Sequence, residues 1–125
     1  MKARILVVDD SGLARRRART ILEGAGFEVL EAEDGIAALE SYFVAKPDLV
    51  LLDLVMKGMY GLDVLEKLRE IDPDARVIVV SADVQTSSRE LVHAAGASGF
   101  INKPVAPDQV LSMIEQVMKG ASPWN

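Results

Sequence analysis

The chain has 125 residues, half of them hydrophobic, which suffices for one domain with its own core and argues against disorder. A net charge of −5, from 14 basic and 19 acidic residues, argues against general nucleic-acid binding. Cysteine is absent, which excludes a disulfide framework, a cysteine-based zinc site and a thiol nucleophile. The first apolar run is too short for a signal peptide and no run could span a membrane, so we predict a cytoplasmic protein.

Short strand-like runs alternate five times with amphipathic helical patterns along the chain. Continuous apolar runs at 5–8, 49–52 and 77–80 are typical of strands buried on both faces of a parallel sheet. The run 28–33 is more polar and suits an edge strand, and 99–102 supplies the fifth strand. The pattern therefore predicts five strands, each followed by a helix.

The first two predicted helices follow the first two strands. Apolar spacing predicts the first helix over about 12–24, closed by glycine in a left-handed cap. The second begins after Asp34, a favourable N-cap residue. We expect Ile36, Leu39 and Phe43 of this second helix to face the core.

The third helix is predicted to present Val64, Leu65, Leu68 and Ile71 to the core. It should end near the dipeptide 72–73, Asp-Pro, since proline cannot continue a helix.

The last two helices carry recognisable boundary signals. The sequence 87–90, Ser-Ser-Arg-Glu, is a capping-box pattern that predicts the start of the fourth helix, which should stop by Gly96. The fifth helix should begin at Pro107 and end at Gly120, leaving a short tail at 121–125. Right-handed crossovers would make this (βα)₅ chain a doubly wound α/β sheet with helices on both faces; the pattern leaves the strand order open.

Polar side chains stand where the apolar runs stop. Asp9 and Asp10 follow the first strand, Asp53 the third, Ser81 the fourth and Lys103 the fifth. The carboxyl ends of parallel strands share one edge of a sheet, which is where ligands bind in such folds. Carboxylates crowded together repel one another and favour a hard cation such as Mg²⁺ or Ca²⁺. The sequence therefore predicts a divalent-metal site with one carboxylate available for chemistry.

These motifs together resemble the receiver domain of two-component response regulators, over roughly residues 3–119. Overall the chain looks most like stand-alone receivers of the chemotaxis type. The resemblance implies a flavodoxin-like sheet of order 2-1-3-4-5, with a receiver domain at 1–120 and a tail at 121–125. The residues that carry it are Asp9, Asp10, Asp53, Gly61, Ser81, Ala82, Lys103 and Pro104.

The resemblance implies that Asp53 accepts a phosphoryl group from a sensor histidine kinase or a histidine phosphotransfer protein. Asp10 and Asp53 would bind Mg²⁺ directly, Asp9 through water, and Val55 through its backbone carbonyl. Lys103 would pair with Asp53 and then with the phosphoryl group. Such a domain catalyses only its own phosphotransfer and dephosphorylation and is not a metabolic enzyme.

The resemblance also implies a conformational switch. Ser81 would hydrogen-bond a phosphoryl oxygen, and Phe100 would couple this change to an output face formed by the fourth helix, fifth strand and fifth helix. A downstream protein of unknown identity would bind that face. We expect a monomer or a weak phosphorylation-dependent dimer, with no nucleic acid or membrane partner.

Two alternatives remain at this point. Lys57 stands where the family usually has proline, so a pseudo-receiver that binds partners without useful phosphorylation is the main one. A haloacid-dehalogenase-type phosphatase would need a second aspartate at the position of Val55.

Local motifs also have simpler explanations. Asp9 and Asp10 could merely cap the first helix, as Ser11 could. The arginine-rich stretch 15–19 is typical of a solvated helix face, with a docking surface for a histidine-bearing helix bundle as the alternative. Trp124 could be disordered or could pack on a partner.

Overall fold

A computed structural model describes residues 2–56, 58–82 and 86–124, with only the backbone described at 86 and 87. The question raised by Lys57 lies outside these residues. The predicted alternation of strands and helices is confirmed. The strands are β1 (Arg4–Val8), β2 (Glu28–Ala32), β3 (Leu49–Asp53), β4 (Val77–Ser81) and β5 (Gly99–Asn102). The helices are α1 (Gly12–Gly24), α2 (Gly35–Ala45), α3 (Gly61–Ile71), α4 (Thr86–Ala94) and α5 (Pro107–Met118).

All described strands form one parallel sheet in the order β2-β1-β3-β4-β5, as the family resemblance implied. The more polar strand β2 lies at an edge, as predicted. In register, Val8 pairs with Leu52 and Asp53 pairs with Val80. The chain reverses its direction of winding between β1 and β3, so the ends of these two strands lie side by side.

Side chains alternate across the sheet and separate the core into two layers. One layer packs against α2, α3 and α4, and the other against α1 and α5. None of the helices among the described residues combines the length and apolarity needed to cross a bilayer. The strand residues of the first layer include Leu6, Val8, Val50 and Leu52, and those of the second include Ile5, Val7, Leu49 and Leu51.

The N-cap residues of α1 and α2 are Ser11 and Asp34. The Ser11 hydroxyl accepts a hydrogen bond from the Ala14 amide at 3.2 Å and caps α1. Asp34 does the same for α2, accepting from the Ala37 amide at 2.8 Å. Since Ser11 caps α1, the capping explanation offered for Asp9 and its neighbour is not needed.

The prediction for the buried face of α2 was wrong at two positions. Ile36 and Phe43 are 63% and 71% exposed, whereas Ala38 and Tyr42 are buried and Leu39 is half-buried. Successive helical residues are about 100° apart, so Ala38 lies on nearly the opposite face from Ile36. Both faces of α2 carry apolar residues, and the sequence pattern did not indicate which one is buried.

The close approach of α2 to α3 decides which face is buried. A Cβ atom at Gly35 would lie 2.8 Å from the Val64 side chain and 2.9 Å from that of Met59. Only a face that begins with glycine and continues with Ala38 lets the helices approach this closely.

Two other helix details differ from the predictions. The buried stripe of α3 ends at Leu68, so Ile71, the last residue of that helix, is 50% exposed. Helix α4 begins at Thr86, so Ser87 lies inside its first turn and is not the N-cap of a capping box.

Gly61 is packed against the end of β3, and we expect Gly61→Ala to destabilise the protein by about 3 kcal/mol. A Cβ atom there would lie 2.5 Å from the Asp53 carbonyl oxygen and 2.7 Å from Leu54 Cα. Backbone atoms of a central strand cannot move aside as a flexible side chain can. Urea denaturation measures the change. Gly24→Ala is the matched control, because a Cβ atom at Gly24 meets nothing within 4 Å, and its stability should be unchanged or slightly higher.

Candidate functional site

Three carboxylates meet where β1 and β3 end, as predicted. One oxygen from each of Asp9, Asp10 and Asp53 lies within 4.8 Å of the other two. Asp9 and Asp53 are each only 6% exposed, and Asp10 is exposed. The arrangement follows from the strand order, because the neighbours β1 and β3 deliver these residues to the same edge of the sheet.

Lys103 reaches the same place from the end of β5. Its Nζ lies 2.8 Å from Asp9 Oδ2 and 3.5 Å from Asp53 Oδ1. The resemblance implied a pair with Asp53, and the shorter contact is instead with Asp9. The Lys103 amide donates to the Ser81 carbonyl at 2.8 Å, and the bond to Pro104 is cis. The hydrogen bond to Ser81 holds the start of the lysine side chain beside β4.

The surroundings of the site raise the pKa of both Lys103 and Asp53, for different reasons. Burial by itself would lower the pKa of the Lys103 ammonium, but contacts with Asp9 and Asp53 outweigh burial and raise it. Burial, and then the neighbouring Asp9 carboxylate, raise the pKa of Asp53 to about 6. The Lys103 ammonium and the backbone amide of Val55 oppose that rise. One ammonium therefore leaves the carboxylate cluster with excess negative charge.

The donor set fits a hard divalent cation. Carboxylate oxygens are the ligands that Mg²⁺ and Ca²⁺ favour, and three of them converge here. Asp10 is exposed, so the cluster is accessible from solvent. Burial, and then the Asp9 carboxylate beside it, raise the pKa of Asp53, and a bound cation would offset both effects.

The other predicted site residues take distinct positions around this cluster. Ser81 is fully buried at the end of β4, one residue beyond the position opposite Asp53. The Val55 side chain is 59% exposed while its amide bonds Asp53. Phe100 lies on β5 away from the carboxylates, with its ring buried and the Arg89 guanidinium carbon 6.0 Å from the ring centroid.

Sequence reasoning missed the role of Arg15. Its guanidinium donates to the Asp9 carbonyl oxygen at 2.7 Å and to Glu31 Oε1 at 3.0 Å. Arg19 also pairs with Glu31, at 2.7 Å, and these contacts tie α1 to β2. The only signal in the sequence was the arginine run itself, which does not reveal its partners.

A cavity of about 670 Å³ adjoins the carboxylates and was also missed. It lies between α1, the sheet and α5, and its lining is mostly apolar apart from the groups at the site and Arg17. Arg17 donates across its edge to the Val105 carbonyl at 3.3 Å. Cavities form between elements far apart in the chain, so no local pattern predicts them.

Comparison with known proteins identifies the family to which this fold and site belong. The sequence model of the response regulator receiver domain family matches residues 5–115 of this chain. The chain belongs to the response regulator receiver family. The resemblance recognised in the sequence is thereby confirmed.

Curated relatives of this receiver include chemotaxis proteins. It is 39% identical to chemotaxis protein CheY of Thermotoga maritima over 120 residues, 95% of this chain and 100% of the relative. It is 42% identical to chemotaxis protein CheY of Bacillus subtilis over 119 residues, 94% of this chain and 99% of the relative. Receivers are signalling domains that accept a phosphoryl group, and this chain belongs to that class.

Solved structures agree with the assignment. A CheY-like receiver from Methanospirillum hungatei JF-1 superposes with a TM-score of 0.91 at 29% identity, covering 96% of each chain. The CheX–CheY–BeF₃–Mg²⁺ complex from Borrelia burgdorferi gives a TM-score of 0.88 at 32% identity, covering 92% of this chain and 88% of that one.

Proposed function

We propose that this receiver accepts a phosphoryl group on Asp53, with Mg²⁺, from a sensor histidine kinase or a histidine phosphotransfer protein. The observation that carries the proposal is the buried carboxylate of Asp53, held beside Asp9 and 3.5 Å from the Lys103 ammonium. A nucleophile at the end of a central strand, with a cation next to it, suits transfer to a group that arrives from the open edge of the sheet.

Asp10 and Asp53 would bind the metal directly and Asp9 through water, with the Val55 carbonyl as a further ligand. The contacts of Asp9 support its indirect role. Its Oδ2 binds Lys103 at 2.8 Å, and its Oδ1 accepts the Ser11 amide at 2.9 Å. The Borrelia burgdorferi relative was crystallised with BeF₃ and Mg²⁺, which supports magnesium as the metal.

Asp53, Lys103 and Ser81 would each have a different role in phosphoryl transfer. An Asp53 oxygen attacks phosphorus, the bond to the donor imidazole nitrogen breaks, and the imidazole leaves. When bound, Mg²⁺ supplies positive charge to the phosphoryl oxygens. Lys103 places its ammonium against the same charge, and Ser81 donates a hydrogen bond to a phosphoryl oxygen.

The acyl phosphate would be the signal. It adds about −1.5 to −2 charges and three acceptor oxygens next to Ser81. The buried ring of Phe100 would respond, altering the surface formed by α4, β5 and α5, to which a downstream protein binds. The proposed signalling unit is residues 1–120, acting in the cytoplasm as a monomer or a weak phosphorylation-dependent dimer, without nucleic acid or membrane.

Catalysis would be limited to the domain's own phosphotransfer and hydrolysis. The apolar side chain of Val55 cannot orient a hydrolytic water. It also stands where a dehalogenase-type phosphatase needs its second aspartate. The pseudo-receiver alternative rested on Lys57, which lies outside the described residues, and no contact among the described residues favours it.

Intact mass spectrometry after incubation with acetyl phosphate tests the proposal. With Mg²⁺ we expect one added phosphoryl group, and with a chelator in place of Mg²⁺ we expect none. Beryllofluoride, which mimics the acyl phosphate, should shift amide resonances around Asp53 and Ser81. Absence of both the adduct and the shifts would overturn the proposal.

A further inference from the structure

The side chain of Trp124 is bound to α4 and to the turn after it. We call the surface that it occupies the seat, and it is formed by Arg89, His93, Ala97 and Phe100. Its indole N–H donates to the Ala97 carbonyl oxygen at 2.8 Å. Its ring stacks on His93, with centroids 4.2 Å apart and planes at 13°. The indole also packs against the core layer beneath α2, α3 and α4. A hydrogen bond, a ring stack and apolar contact together define one bound position.

Arg89 connects this seat to the buried ring of β5. Its guanidinium carbon lies 5.4 Å from the Trp124 ring centroid and 6.0 Å from that of Phe100. Pro123 is close to the start of β5, since a Cβ atom at Gly99 would lie 3.2 Å from Pro123 Cγ. The segment 121–124 therefore covers part of the surface formed by α4 and β5.

The covering segment has no regular secondary structure of its own. After α5 ends at Met118, the Ala121 amide donates to the Gln116 carbonyl at 2.9 Å, and residues 121–124 are neither helix nor strand. Side-chain contacts hold Trp124, and such a segment can detach without unfolding the domain. Release of Trp124 would therefore not require the rest of the domain to unfold.

We propose that residues 121–124 form an intramolecular cover that is docked in the unmodified protein and released when Asp53 is phosphorylated. This inference rests on the proposed function. The seat combines α4, through Arg89 and His93, with the turn carbonyl of Ala97 and the β5 ring of Phe100. A shift of α4 relative to β5 breaks at least one of these contacts, because all of them must align at once.

The cover also defines the kind of partner that this surface fits. A protein segment that places an aromatic ring against His93 and Arg89, and donates its N–H to the Ala97 carbonyl, would reproduce the contacts of Trp124. Such a partner and the cover cannot occupy the seat together. Phosphorylation would therefore favour the partner by removing an internal competitor, which is a population shift between two bound arrangements.

Fluorescence can report release directly, because Trp124 is the single tryptophan of the chain. Acrylamide quenching should be weak in the unmodified protein and at least twofold stronger with Mg²⁺ and beryllofluoride. Arg89→Ala should raise quenching before activation and reduce the further increase. Phe43→Ala is the matched control, because it removes an exposed aromatic ring from α2 and should change neither value.

Linkage provides a second readout that does not need tryptophan. If activation releases the cover, Trp124→Ala should increase beryllofluoride affinity by about threefold or more, measured by ¹⁹F NMR, because coupling is reciprocal. Unchanged quenching in a sample whose acetyl phosphate adduct is verified by mass, or unchanged affinity in Trp124→Ala, overturns this inference and leaves the proposed function standing. Absence of both the adduct and the beryllofluoride-induced shifts overturns the proposed function, and this inference with it.

Discussion

Replacing Asp53 by asparagine is expected to leave the protein folded and to reduce phosphoryl uptake from acetyl phosphate by at least about a hundredfold. The amide keeps the shape of the side chain and removes the nucleophilic oxygen anion. It also removes one of the three converging carboxylates, so Mg²⁺ affinity should fall as well. Intact mass after a time course with acetyl phosphate and Mg²⁺ measures uptake, and calorimetry measures the metal.

Asp74→Asn is the matched control for this substitution. Asp74 is exposed in the turn before β4. This turn lies at the amino ends of the strands, whereas the three carboxylates lie at the carboxyl ends. Its replacement changes the net charge by the same amount and should leave uptake at the wild-type rate. An adduct on Asp53→Asn at the wild-type rate would show that the phosphoryl group goes elsewhere.

The same substitution should stabilise the metal-free protein at neutral pH. The pKa of Asp53 is about 6 in the folded state against 3.8 for an ordinary aspartate. The folded state therefore binds the proton more tightly, so wild-type stability falls as pH rises from about 4 to about 6. Asp53→Asn lacks this loss and should be more stable by about 3 kcal/mol at pH 7, with little difference below pH 4. Urea denaturation at several pH values in a chelator measures the difference.

Lys103→Ala is expected to have the second large effect. Without the ammonium, the buried carboxylates of Asp9 and Asp53 lose the cation that pairs with both of them, which should destabilise the metal-free protein by about 3 kcal/mol at neutral pH. Phosphoryl transfer should slow by about 10²-fold to 10³-fold, because positive charge is lost where the phosphoryl oxygens would lie. Stability by urea denaturation and uptake by mass spectrometry measure these two losses separately.

Mg²⁺ should stabilise Lys103→Ala more than it stabilises the wild type, since the metal then replaces the positive charge that the ammonium supplied to the two aspartates. Lys103→Arg should recover more of the stability than of the transfer rate, because a planar guanidinium retains the charge and changes its position. Lys67→Ala, which removes an exposed lysine from α3, is the control and should behave as wild type. Wild-type stability of Lys103→Ala in chelator would contradict the importance assigned to this ion pair.

The architecture could be predicted because its signals are local. Each central strand is a continuous apolar run, and a polar residue at its end indicates which edge of the sheet carries chemistry. The sequence alone therefore predicts that the side chains of Asp9, Asp53 and Lys103 lie together. Strand order came from family resemblance, since connection length does not specify it.

Details that depend on small differences in distance, or on contacts between distant parts of the chain, could not be predicted. Whether Lys103 lies nearer to Asp9 or Asp53 is a difference of 0.7 Å, which no pattern in the sequence specifies. The buried face of α2 was also ambiguous, since apolar residues such as Ile36 and Tyr42 occupy both sides of that helix. A tail residue that docks 27 positions back along the chain, as Trp124 does on Ala97, leaves no periodic trace.

The ion pair between Asp9 and Lys103 joins residues 94 positions apart, at nearly opposite ends of the chain. The charge balance at Asp53 is therefore complete only after the last strand has joined the sheet. A chain still being synthesised, or one that has lost β5, carries the proposed acceptor Asp53 without Lys103. On the proposed function, only the finished fold would be able to accept a phosphoryl group, and partly made molecules would not respond to the kinase.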